Sequence, residues 1–142
     1  MAEQVAINAD RGEVGLTLDG RVYPMLPTFA AANAIESQLG AASSLFARLM
    51  KGSEQLPTWH ELAVIATECI KAAGRDRNDS MLIAYNVEKV GEMIYAEGLS
   101  DDLLNAFVSI VGNMVSGGTN RKKAQAAAAA TTEPTSESPT AS

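Results

Sequence analysis

Gly12-Glu13-Val14-Gly15-Leu16-Thr17-Leu18-Asp19-Gly20-Arg21-Val22-Tyr23-Pro24-Met25-Leu26 is the stretch that decides the fold. From Glu13 to Leu18, polar or small residues alternate with apolar ones, the period of a half-buried strand. Asp19-Gly20 then offers two positions that tolerate positive φ, a strong signal for a two-residue hairpin turn. In that register Leu16 faces Tyr23 and Val14 faces Met25, and these four form the buried face. Pro24 falls opposite Gly15. Lacking an N–H, it confines its strand to an edge.

Helical patterns follow the hairpin. Thr28 caps Phe29–Leu39, and Gly40 stops it. The next segment, 42–51, carries Leu45, Phe46, Leu49 and Met50 and ends at Gly52. Thr58-Trp59-His60-Glu61, just after Pro57, reads as a capping box. Its helix is predicted to run to Gly74, with Trp59, Leu62, Ile65, Ala66, Cys69, Ile70 and Ala73 on one side. Asp79 caps a helix reaching about Glu97. Gly98 breaks it, and Ser100 caps a last helix over 101–116. Asp101 and Asp102 lie in its first turn, where the helix dipole favours carboxylates. The expectation is an α+β fold, an N-terminal β-hairpin followed by four to five mainly amphipathic helices.

That domain spans 11–118. A flexible N-terminus, 1–10, is expected before it. After it, 119–142 is almost entirely Ala, Thr, Ser, Pro and Glu with three basic residues. Such a tail cannot bury enough surface to offset its chain entropy and is expected to be disordered.

Charge narrows the function. Residues 1–118 carry 8 Lys and Arg against 15 Asp and Glu, a net −7. An acidic domain repels phosphate backbones, so nucleic acid is not an expected partner. No apolar run approaches the roughly 20 residues of a membrane span, and the first residues show no signal peptide. A single cysteine forbids an internal disulfide.

The residues of a catalytic or metal site are sparse. His60 and Cys69 stand nine positions apart on one predicted helix. At about 100° per residue they point to opposite faces, so they share neither a metal nor a proton. Cys69 falls in the apolar stripe and reads as core. His60 falls beside Thr67 and Lys71 and reads as solvated surface. A zinc site would need carboxylates at spacings the chain does not offer. No glycine-rich phosphate loop and no nucleophile elbow occur. Asp76, Asp79, Asp101 and Asp102 are explained by capping. The expectation is a protein without cofactor, metal or catalytic residues, not an enzyme.

What remains is apolar surface. On the last helix Leu103, Leu104, Phe107, Val108, Ile110, Val111, Met114 and Val115 cover about 160°, wider than the ~100° stripe of an ordinary surface helix. On the helix before it, Ile83, Val87, Val90 and Ile94 form one stripe, widened by Leu82 and Met93. Such width fits helices buried on two sides. It also fits a groove or self-association face for a partner helix. On the second reading Met93, Tyr95, Phe107, Ile110 and Met114 are the candidate partner-binding residues.

The segment Arg11-Gly12-Glu13-Val14-Gly15-Leu16-Thr17-Leu18-Asp19-Gly20, then Tyr23-Pro24-Met25-Leu26, Thr28-Phe29, Glu36 and Leu39-Gly40, resembles the opening of a small family. That family occurs in gene transfer agents and related tailed phages. Its members are known as tail assembly chaperones and were formerly called tail tube proteins. Ala72-Ala73-Gly74 and Gly98-Leu99 fit the same layout, so the likeness covers roughly 11–116. It implies a virion assembly factor in the bacterial host cytoplasm. Such a factor coats the long, helical, apolar tape measure protein until tube subunits polymerise around it. The tail tube protein is a second implied partner. A longer, frameshifted product is also implied, and Lys122-Lys123 is compatible with a slippery run of adenines. The alternative is a structural tail component, a tube or tube-associated subunit.

Overall fold

The computed structural model describes residues 7–52 and 55–117. The hairpin forms as the alternation predicts. Strand β1, Val14–Leu18, pairs antiparallel with β2, Arg21–Met25, through Leu16 opposite Tyr23, Val14 opposite Met25 and Gly15 opposite Pro24. Asp19 and Gly20 both take positive φ, 53° and 77°, the backbone a two-residue turn between twisted strands requires. Leu16, Leu18, Tyr23 and Met25 are buried, and Val14 is half-buried against them.

Among the described residues six helices follow: α1 Phe29–Leu39, α2 Ala42–Met50, α3 Trp59–Arg77, α4 Ser80–Ile83, α5 Val87–Glu97 and α6 Asp101–Val115. The caps are those the sequence names. Thr28 accepts a bond from the Ala31 N–H, and Ser100 from that of Leu103. Thr58 and Glu61 complete a reciprocal capping box.

Two boundaries differ from expectation. Helix α3 passes Gly74 and ends at Asn78, whose left-handed backbone (φ 56°) closes it. Gly74 is small for another reason. A Cβ there would lie 2.8 Å from the Leu82 Cβ and 3.0 Å from the Ile83 amide nitrogen, so glycine lets α4 cross close to α3. The helix expected from Asp79 to Glu97 is in fact two. Asn86 restarts it as α5, its side chain accepting from the Lys89 N–H at 2.8 Å.

Helix α3 is the centre of the molecule. Eleven of its 19 residues are buried, and it packs against α1, α4, α5 and β2. Burial all round explains why Thr67, expected on a polar face with His60, is buried. It lies one turn beyond Ala63, which Gly91 of α5 approaches closely. Trp59 is corrected the opposite way. Placed in the apolar stripe by its spacing, it is exposed, because it stands at the helix start, beyond the end of the core.

Buried polar contacts fasten the hairpin base. Asn113 of α6 donates to the Gly12 carbonyl at 2.8 Å. Arg77 pairs with the buried Glu13 at 2.6 Å, and the Asn8 N–H donates to the same carboxylate. A short helical turn, Ala9–Arg11, precedes β1, and Ile7 lies over Gly15. Residues 7–10, expected in a flexible N-terminus, are therefore packed against the hairpin. The rest of that expected segment, 1–6, lies outside the described residues. The predicted tail, 119–142, lies outside the described residues. No helix among the described residues is long and apolar enough to cross a membrane.

Candidate functional site

The five candidate residues do not form one face. Phe107 and Ile110 are both 0% exposed. They are core, and their place among partner-binding residues is corrected. The wide apolar arc of α6 is consumed on two sides, by α2 and by β1. Phe46 of α2 reaches Gly112, where a Cβ would stand 3.1 Å from its ring. Met114 is half-buried against the same core.

Helix α5 is different. Val90 and Ile94 are buried, but Met93 and Tyr95 lie on either side of that stripe, about 200° apart. Each flank meets a different neighbour.

On the Met93 flank, α5 and the hairpin enclose an open cleft of about 530 Å³, lined by Leu18, Asp19, Tyr23, Tyr85, Lys89, Met93, Ala96 and Glu97. The Asp19 N–H donates to Glu97 at 2.8 Å, latching the hairpin turn to the end of α5. Tyr23 and Tyr85 pack edge to face, centroids 5.6 Å apart. The Arg21 guanidinium stands 5.1 Å from the Tyr23 ring. Burial, then Tyr85, pushes the Tyr23 phenol above its ordinary range, so it stays neutral. A second cleft of about 380 Å³ adjoins the first through Tyr85 and Lys89 and is bounded by Met81, Ala84 and Asn86.

On the other flank Tyr95, 67% exposed, packs on Trp59, 41% exposed. The ring centroids are 5.0 Å apart and the planes 73° from parallel. Beneath Trp59 the α3 start is held firmly. Arg48 donates twice to Glu61, at 3.0 and 2.8 Å, while Glu61 accepts from the Thr58 N–H. Arg48 first, and the Thr58 N–H after it, keep the Glu61 carboxyl below its ordinary range against a smaller opposing effect of burial.

His60 is exposed and Cys69 is fully buried, its thiol pushed up by burial. Among the described residues no three His, Cys, Asp or Glu side chains come together to hold a metal ion. Sequence reasoning missed Trp59, Tyr85 and Lys89. Lys89 and Met93 stand one turn apart on α5, whereas Tyr85 precedes the Asn86 cap and reaches the same cleft from the connection between α4 and α5.

No family model, curated protein or solved structure matches the chain.

Proposed function

We propose that this chain is a tail assembly chaperone of the kind found in gene transfer agents and tailed phages. It works by binding, in the host cytoplasm, to the helical tape measure protein, and it catalyses no reaction. The observation that carries the reading is the resemblance of the hairpin and first helix, Arg11-Gly12-Glu13 through Asp19-Gly20 and on to Leu39-Gly40. The two flanks of α5 support it. They present the exposed Tyr95 and Trp59, and the half-buried Met93 and Tyr85 at the edge of the clefts, and such adaptable methionine and rigid aromatic side chains suit an apolar helical partner. A tube subunit would need strands for a ring-shaped barrel, whereas the described residues hold one two-stranded hairpin.

Co-expression with a tape measure protein encoded beside this chain tests the proposal. The expected result is a larger soluble fraction of that protein and a recoverable complex. No gain in solubility and no complex would remove the chaperone reading.

A further inference from the structure

Helices α3 and α5 run side by side in opposite directions. Gly91 approaches Ala63, where a Cβ would stand 3.2 Å from the alanine Cβ. One turn further along each helix, Tyr95 meets Trp59. The aromatic pair therefore caps the open end of this seam. Edge-to-face packing occupies the face of only one ring and leaves aromatic surface open.

Glu88 and Glu92 share an arc of about 60° of α5 with Tyr95. Both are exposed, and neither takes part in the ion pairs of Arg11 with Asp76, Arg48 with Glu61 and Arg77 with Glu13. Like charges one turn apart destabilise a helix. Glu88 is in the first turn of α5, where the helix dipole compensates it. Glu92, mid-helix, has no such role. The one cation of α5, Lys89, stands about 60° from Glu92 and about 120° from Tyr95. It lines the clefts on the Met93 flank and takes part in none of those ion pairs. Over residues 84–117 five carboxylates, Glu88, Glu92, Glu97, Asp101 and Asp102, stand against Lys89 alone.

We propose that Trp59, Tyr95, Glu88 and Glu92 form a docking face for a cationic amphipathic helix. Apolar side chains of that helix pack on the two rings. Lys or Arg beside them reach the two carboxylates and the ring faces. An anionic helix is repelled, and a neutral one gains the ring contact only. A second copy of this chain fits poorly, since it would set carboxylates against carboxylates. The inference rests on the chaperone reading for which protein carries the helix, not for the chemistry of the face.

The chain has one tryptophan, Trp59, so its emission reports on this face alone. The full chain is titrated with synthetic amphipathic helices of roughly 20 residues. One carries Lys and Arg beside a Leu stripe, and another carries Glu on the same stripe. The expected result is a saturable blue shift with the cationic peptide only, weakened by salt. Glu88→Gln with Glu92→Gln should weaken it about threefold to tenfold, as rim ion pairs do, with unchanged circular dichroism. Equal binding of both peptides, or indifference to the double substitution, would overturn the proposal. So would a concentration-dependent shift without peptide, which assigns the face to a second copy. If the tape measure protein is solubilised equally well by the double variant, the docking chemistry fails while the chaperone reading stands. If it is not solubilised by the wild type, yet peptide discrimination holds, the docking face stands without that reading.

Discussion

Helices α5 and α6 look alike in sequence and do opposite things in the fold. Both carry an apolar arc with a methionine flank. In α6 the arc is filled from both sides, by α2 and β1, and its largest side chain, Phe107, is wholly buried. In α5 only Val90 and Ile94 are buried, while Met93 and Tyr95 look out on opposite sides. The width of an apolar arc counts the surfaces a helix could touch. It does not say which of them the rest of the chain supplies.

The difference can be broken by substitution, and α6 should respond most. Phe107→Ala should cost about 3–5 kcal/mol, as large-to-small core changes do, read by thermal or urea unfolding. A stable variant with weakened partner binding would return Phe107 to the surface. Next, Glu61→Ala removes the capping box and the Arg48 pair beneath Trp59. It should cost about 1–2 kcal/mol at neutral pH. The Glu61 pKa is depressed in the folded state. Its contribution is therefore present above the ordinary glutamate range and is lost as pH falls through the lower folded value. The gap between wild type and variant should close in acid; a gap that stays constant would show that the charge of Glu61 does not contribute. Ile110→Val should cost about 0.5–1.5 kcal/mol. Smallest is Tyr95→Ser, expected within about 0.5 kcal/mol of wild type, with partner binding reduced. A large loss of stability there would make Tyr95 structural.

The hairpin was legible to the residue because Asp19-Gly20 pins its register and a slip of one would turn Leu16 and Tyr23 outward. Caps were legible because Thr28, Thr58, Asp79 and Ser100 act within three residues of themselves. Asn86 carried the same kind of signal but lay inside an uninterrupted apolar pattern that reads as one helix. Gly74 reads as a stop and is a close crossing, which depends on where α4 lies. The candidate site was less legible. Burial of Thr67 follows from α3 being central, and exposure of Trp59 from its place at the start of α3, beyond the core; both are facts of packing that no local period contains. Tyr95 and Met93 were found from their spacing. Their separation onto two flanks also follows from that spacing; what each flank meets, α3 on one side and the hairpin on the other, does not.

A partner is expected to meet the molecule on α5 and not on α6. The most direct test is the emission of Trp59 in the full chain, free and in a purified complex with the tape measure protein. A blue shift on complex formation, lost in Tyr95→Ser and kept in Ile110→Val, is the predicted result. A complex in which Trp59 emits as it does in the free chain would contradict the claim.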